Sequence, residues 1–304
     1  MLMRLLKVMV LLWVGTGLFV VAYSAHASRI VVTIPPLASA LKPLLGAQDQ
    51  LTVLLTKGQS PHGFYLKPSH LVSLQQADIV VGVGFGVDAW AQKAMQNLRS
   101  RNDAVILNMM DVPNLTLIQA DETEHEHSKA AHHHEDSRVN PHVWLDMGNV
   151  EKLVGAFSER FARMNPQRAE TIRHRARQWI VQLQQADNQI RRRLQPVKQV
   201  PYLVMHNAFT YYEKRYGLNN QGALQINPEQ KAGVQTMLKV HRQIEAHQIK
   251  CIFQEPQMSS KQLKVLVKGT SVKIGVLDPL GDGSQDSVTF MKRLASDYFS
   301  CLES

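Results

Sequence analysis

Short apolar runs alternate with longer segments of helical periodicity along the chain after residue 27. In the first half, strands are predicted at 29–34, 51–55, 78–83 and 104–107, and helices at 37–45, 69–77 and 87–98. Strand–helix–strand alternation leads to parallel pairing through right-handed crossovers. The runs are nearly all apolar, which is typical of strands that are buried on both faces.

The second half repeats this pattern. Its strands are predicted at 202–206, 222–226, 251–254 and 271–277, and its helices at 209–216, 229–247, 259–268 and 287–300. The chain therefore contains two similar α/β units, one after the other. Each has the composition of a small parallel sheet with flanking helices.

A long helix is predicted between the two units, over 166–195. Pro166 suits its first turn and Pro196 ends it. Apolar residues recur along it at steps of three and four: Ala169, Ile172, Ala176, Trp179 or Ile180, Leu183, Ala186, Ile190 and Leu194. We therefore expect an α/β protein with an N-terminal lobe at 28–165, a linking helix at 166–196 and a C-terminal lobe at 197–304.

The first 27 residues have the features of a cleavable secretory signal. Arg4 and Lys7 precede an apolar run at 8–22, which is short for a membrane span, and Ala25-His26-Ala27 supplies small residues for cleavage. The alternative is a membrane anchor. No Cys follows the run to carry a lipid. We expect an exported, periplasmic mature chain that is not inserted in the membrane.

Composition narrows the possible partners. The formal charge of +9 falls to +7 once Arg4 and Lys7 are removed, and the basic excess is dispersed apart from a run at 191–193. Aromatic residues are not interleaved with the basic ones, so nucleic acid is not an expected partner. The two cysteines, Cys251 and Cys301, lie in the exported part, where an even count suggests one disulfide.

Three histidines lie where apolar runs begin or end. These are His62 in SPHG, His142 in NPHVW, and His206 at the end of YLVMH. Asp278 ends a fourth run, and ligands of parallel sheets collect at the carboxyl ends of strands. Three imidazoles with one oxygen suit Zn²⁺, so these four residues are the predicted metal ligands. Asp88 and Glu255 are alternative carboxylates.

A second group of histidines lies in a segment without periodicity, at 119–137. It contains His125, His127, His132, His133 and His134 among acidic residues. Such a composition is associated with weak metal binding, although a merely soluble loop is the alternative. We expect a mobile surface loop that captures metal and passes it to the main site.

Four stretches carry a family resemblance: 60–69 (SPHGFYLKPS), 140–146 (NPHVWLD), 206–213 (HNAFTYYE) and 277–281 (LDPLG). In this order they resemble the signatures of the metal-binding solute receptors of ABC importers (cluster A-I, or cluster 9). The periplasmic zinc receptors are the most similar branch. They share an acidic, His-rich loop at this place, and they too have one Cys before a Phe-x-Glu-Pro strand and another near the C-terminus.

The resemblance implies a non-enzymatic, monomeric receptor that holds Zn²⁺ between two lobes and delivers it to an inner-membrane permease and its ATPase. Manganese-preferring relatives carry Glu at the position of His206. The fourth ligand is Asp, Glu or water in the family, so Asp278 and water both remain possible fourth ligands.

The alternative functions are a manganese or iron receptor or an adhesin of the same family, and a zinc hydrolase. The sequence contains neither a His-Glu-x-x-His motif nor a nucleophile elbow, so it does not support a hydrolase.

Overall fold

The structure is a computed structural model that describes residues 27–84, 86–101, 104–120, 139–224, 234–258 and 260–303. Residues 1–26 of the predicted signal and residues 121–137 of the His-rich segment are not among the described residues. The structure also does not describe four side chains, those of His62, Val234, Ser260 and Gln262.

The N-terminal half forms a four-stranded parallel sheet in the order β2-β1-β3-β4. Its strands are β1 (Arg29–Val32), β2 (Gln50–Val53), β3 (Ile79–Gly82) and β4 (Val105–Asn108), and its helices are α1 (Pro35–Leu41), α2 (Pro68–Gln75) and α3 (Ala89–Arg101). Strand β1 is shorter than predicted because Ile34 already caps α1, whose first two positions are prolines.

The C-terminal half forms a second parallel sheet in the order β6-β5-β7-β8. Its strands are β5 (Tyr202–Val204), β6 (Asn220–Ala223), β7 (Cys251–Gln254) and β8 (Lys273–Val276), and its helices are α6 (Thr210–Tyr216), α7 (Val234–Ala246) and α8 (Ser260–Leu266). The predicted fold class, with two small parallel sheets and flanking helices, is confirmed.

Three longer helices complete the structure: α4 (Met147–Met164), α5 (Ala169–Leu194) and α9 (Ser287–Leu302). The 26 residues of α5 span about 39 Å at 1.5 Å per residue. Its first turn is not at Pro166 as predicted, because Pro166–Arg168 forms a separate 3₁₀ turn. A second 3₁₀ turn, Gln195–Val197, follows the helix and contains Pro196.

Helix α5 ties the two halves together through its apolar stripe. It packs against α4 of the N-terminal half and α9 of the C-terminal half. Trp179 is the buried member of the Trp179/Ile180 pair, and its Nε1 donates to the carbonyl of Ala40 at 3.0 Å. One hydrophobic core includes residues of both sheets, such as Ile30 and Tyr202, so the connection between the lobes is a packed one.

One residue on the buried face of α5 is charged, and an ion network surrounds it. Arg215 of α6 donates from Nε to Asp187 of α5 at 2.7 Å, and from Nη1 to Asp146 at 3.1 Å. Asp146 caps α4 by accepting from the Asn149 amide. Burial alone would raise the pKa of Asp187, but hydrogen bonds from Arg215 and Tyr216 hold it below its usual value. The network joins α4, α5 and α6.

The predicted disulfide is confirmed. Cys251, at the start of β7, is bonded to Cys301 near the end of α9, across a separation of 50 residues. Gly275 of β8 pairs with Phe253 of β7, and an added Cβ at Gly275 would lie 2.5 Å from the ring of Phe253. A glycine is required there because the ring fills the space above it.

Reduction of this disulfide should lower the free energy of unfolding by about 4 kcal/mol, because the reduced unfolded chain regains the entropy of a 50-residue loop. Urea unfolding of the oxidised and the reduced wild-type protein measures the difference without changing any side chain. Equal midpoints would show that the loop-entropy account fails for this chain.

Within the described ranges, no helix is both long enough and apolar enough to cross a bilayer.

Candidate metal site

A small cleft lies between the two sheets, at the carboxyl ends of their strands. Residues of both halves line it: Ser60, Pro61, His142, Trp144, His206, Glu255, Gln257, Pro279 and Leu280. Its volume is about 20 Å³, which is room for one water molecule or ion. An organic substrate would not fit without movement of the lobes.

His142 is held in the cleft by Asn140, two residues earlier. The side-chain oxygen of Asn140 accepts from the backbone N–H of His142 at 3.0 Å, and lies 2.8 Å from its Nδ1. The amide nitrogen of Asn140 donates to the carbonyl of Asn207, in the other half. With the amide oriented in this way, its oxygen can only accept, so Nδ1 of His142 carries the proton.

The turn that contains His142 is also fixed to the C-terminal half. Trp144 is fully buried, and its Nε1 donates to the carbonyl of Pro279 at 2.8 Å. The hydroxyl of Tyr211 donates to the Asn140 carbonyl at 2.8 Å. These bonds set the distance between the two walls of the cleft, so His142 is placed before any ligand arrives.

His206 follows strand β5 and faces His142. Their ring centroids are 5.0 Å apart, with the planes at 73°. Nδ1 of His206 lies 2.7 Å from Oε1 of Glu255, the residue that follows β7. A carboxylate beside Nδ1 orients the ring and places the lone pair on Nε2, as is usual for metal-binding histidines.

The two imidazoles therefore have the same chemical arrangement. An oxygen acceptor holds Nδ1–H of each ring, Asn140 for His142 and Glu255 for His206. Nε2 is then the nitrogen that can coordinate a metal ion. Neutral imidazole nitrogen is a good ligand for Zn²⁺.

The other predicted ligands are placed differently. His62 lies in the 3₁₀ turn Pro61–Gly63, and its neighbours Ser60 and Pro61 line the cleft. The Oδ1 atom of Asp278 accepts from the backbone amides of Leu280 and Gly281, both at 3.0 Å, and Asp278 lines an adjacent cavity of about 200 Å³. The carboxylate that contacts a cleft histidine is Glu255, which the sequence offered only as an alternative.

Asp88, the second alternative carboxylate, has a structural position. It is fully buried and accepts from the hydroxyl of Thr33 at 2.7 Å, from the backbone amides of Val83 and Gly84, and from Gln92. Burial raises its pKa, although these hydrogen bonds oppose the effect. Asp88 joins the ends of β1 and β3 to the start of α3.

Among the side chains that the structure describes, no three His, Cys, Asp or Glu residues lie together as a complete metal site. The described residues thus supply two imidazoles with anchored Nδ1 atoms. His62, whose side chain the structure does not describe, is next in sequence to Pro61, which lines the cleft. His125, His127, His132, His133 and His134 lie outside the described residues as well.

The sequence patterns assigned no role to Asn140, which holds His142, or to Gln257, which lines the cleft. Asn140 occurs in the stretch NPH, where an amide two residues before a candidate ligand is a usable signal. Gln257 follows Glu255 and Pro256 in the turn after β7, and nothing in the sequence alone directs it into the cleft.

Glu255→Gln should weaken zinc binding by about 10–100-fold, because the neutral amide orients and polarises the His206 ring less than a carboxylate does. Competition with a chelator of known affinity measures the change. Glu245→Gln, an exposed position on α7, is the matched control and should bind as the wild type does.

The effect of Glu255→Gln should disappear in a His206→Ala background, since Glu255 acts through the His206 ring. If the two substitutions instead lower affinity independently, Glu255 acts on the metal by another route.

A family model for zinc-uptake complex component A, periplasmic, matches residues 30–303. The chain belongs to this family. It is 30% identical to the high-affinity zinc uptake system protein ZnuA of Haemophilus ducreyi, over 90% of this chain and 93% of the relative. It is 29% identical to the protein of the same name from Yersinia pestis, over 92% of this chain and 93% of the relative.

Solved structures of other proteins have the same fold as this chain. The periplasmic zinc binding protein TroA of Treponema pallidum superposes with a TM-score of 0.76 at 21% identity, over 91% of this chain and 99% of that one. A crystal structure of ZnuA superposes with a TM-score of 0.74 at 19% identity, over 92% and 99%. This chain therefore shares its fold, two parallel sheets with a long helix between them, with these structures.

Proposed function

We propose that this protein is the periplasmic zinc receptor of an ABC importer. It binds Zn²⁺ in the cleft between its lobes and delivers the ion to an inner-membrane permease and its ATPase. The observation that carries the proposal is the facing pair His142 and His206, each with Nδ1 held by an oxygen acceptor. The relatives named above are zinc uptake proteins, which supports zinc as the cargo.

The proposed ligands are His62, His142 and His206, with Asp278 or water in the fourth position. A ligand set rich in imidazole favours Zn²⁺ over Mn²⁺, which prefers oxygen ligands. The His-rich segment at 119–137 is proposed to capture metal for the cleft. Residues 1–27 are proposed to direct export and to be removed.

The protein is proposed to have no catalytic activity. The cleft has room for a single ion or water, whereas a zinc hydrolase needs space for its substrate beside the metal. The mature protein is proposed to act as a monomer in two lobes, at 28–165 and 197–304, with the linking helix at 166–196 between them.

Competition between metals tests the proposal. We expect the purified mature protein to bind Zn²⁺ at least about 100-fold more tightly than Mn²⁺, because softer nitrogen ligands favour zinc. Titration with a chromophoric chelator in the presence of either metal gives both affinities. Preference for Mn²⁺, or the absence of tight binding of either metal, would overturn the assignment.

A further inference from the structure

The cleft contains a polar side-chain atom, Oε1 of Gln257, that is not among the proposed metal ligands. Within the described part of the chain, the side-chain oxygen of Gln257 is buried and has no hydrogen-bond partner. Gln257 lines the cleft beside His142, His206 and Glu255. An unsatisfied buried amide oxygen costs about 1–3 kcal/mol, so its presence at a binding site calls for a partner that arrives with the ligand.

The turn after β7 brings this oxygen to the site. Glu255 directly follows the strand and is buried, Pro256 is exposed, and Gln257 lines the cleft. The amide of Met258 donates to the carbonyl of Glu255 at 3.0 Å, which closes the turn. One short turn therefore presents two side chains to the same place, the carboxylate that holds His206 and the amide of Gln257.

We propose that Gln257 Oε1 accepts a hydrogen bond from a water molecule that occupies the fourth coordination position of the bound Zn²⁺. This inference rests on the proposed zinc function and specifies its fourth ligand. A water bound to zinc is a strong hydrogen-bond donor, because the ion withdraws electrons from it. An acceptor without a proton to donate is its natural partner, and Gln257 Oε1 satisfies that requirement.

Two observations favour a water over direct coordination by an amino-acid side chain. An amide oxygen is a ligand for harder ions such as Ca²⁺ or Mn²⁺ rather than for Zn²⁺, so Gln257 itself is poorly suited to bind the metal. Asp278 uses Oδ1 to hold the backbone amides of Leu280 and Gly281, and faces the adjacent cavity.

Gln257→Leu separates this role from a structural one. In zinc-free protein the substitution removes a buried oxygen without a partner, so the free energy of unfolding should stay the same or rise. In the same variant, zinc affinity should fall by about 10–100-fold, which is the usual effect of removing a side chain that hydrogen-bonds to a metal ligand. Gln257→Glu keeps an acceptor oxygen at the position and should bind zinc within about 10-fold of the wild type.

Chelator competition gives the zinc affinities, urea unfolding gives the stabilities, and the visible spectrum of the Co²⁺-loaded protein reports the coordination geometry. The spectrum should change in Gln257→Leu and return towards that of the wild type in Gln257→Glu. Gln285→Leu, which removes an exposed amide from the adjacent cavity, is the matched control and should change nothing.

The outcomes distinguish the inference from the function on which it rests. If the wild type binds zinc tightly and Gln257→Leu binds equally well with an unchanged Co²⁺ spectrum, the role of Gln257 is wrong and the receptor function stands. If Asp278→Asn abolishes tight binding while Gln257→Leu does not, Asp278 is the fourth ligand and the water is refuted. If the wild type does not bind zinc, both proposals fail.

Discussion

His206→Ala should lower the affinity for Zn²⁺ by at least about 100-fold. Tight zinc sites have binding free energies of about 10–16 kcal/mol, so each of about four ligands accounts for roughly 3 kcal/mol. We propose His206 as one of these ligands because its ring faces His142 at 5.0 Å and Glu255 lies 2.7 Å from its Nδ1. Removal of the imidazole also leaves the carboxylate of Glu255 without its partner ring.

The loss should be specific to the ligand position. His247→Ala removes an exposed imidazole just after α7 and should leave the affinity unchanged. Isothermal titration at constant pH, with chelator competition where binding is too tight, compares the two variants with the wild type. A His206→Ala protein that binds zinc as tightly as the His247→Ala control would remove His206 from the site.

His62→Ala and His142→Ala should have effects of the same size as His206→Ala. His142 has its Nδ1 anchored as His206 does. His62 is supported by its neighbours, Ser60 and Pro61, which line the cleft. Normal binding by either variant would exclude that residue from the set.

The sheets and the long helix could be predicted because their signals are local. A strand buried on both faces needs a short apolar run, and a helix that packs along its length needs apolar residues at steps of three and four. These requirements are satisfied by neighbours in sequence, such as Val31 and Val32 in β1, or Leu183 and Ala186 in α5. The start of α5 was misplaced by three residues, since a 3₁₀ turn and a first helical turn accept Pro166 equally well.

The choice between carboxylates could not be made from the sequence. Glu255 and Asp278 both follow strands of the same sheet, and each precedes a proline. The difference lies in the turns that follow. The short side chain of Asp278 accepts hydrogen bonds from the amides of its own turn, whereas the longer side chain of Glu255 reaches His206, which follows the adjacent strand β5. Which of the two faces the histidine is a property of the assembled sheet.

The burial of Asp187 in the core could not be predicted from the sequence either. It lies on the buried face of α5, where the periodic pattern contains only apolar residues. Its hydrogen-bond partners are Arg215 and Tyr216, which are 28 and 29 residues away, and Arg191 of the same helix lies 3.8 Å from it. A long-range pair of this kind leaves no mark on the local pattern.

Arg215→Met should destabilise the protein by about 3–5 kcal/mol, because it leaves two buried carboxylates without their common partner. Asp146 and Asp187 are only 6% and 12% exposed, and Arg215 donates to both. The methionine keeps most of the apolar stem, so the loss reports the charge rather than the packing. Urea unfolding measures the change, and the variant should unfold at a clearly lower urea concentration.

A second ion pair in the same protein supplies the control. Arg177 and Glu170 are also 2.7 Å apart, but their side chains are 60% and 79% exposed. Arg177→Met should cost at most about 0.5 kcal/mol, since water screens the pair and replaces its hydrogen bonds. The two ion pairs have the same length, but Arg215 is half-buried and bonds two carboxylates, whereas Arg177 is exposed and bonds one. The comparison therefore separates the buried network from an ordinary surface pair. Equal losses in both variants would mean that the network of Arg215 does not bind α6 to α4 and α5, and that the shared apolar core alone holds the lobes together.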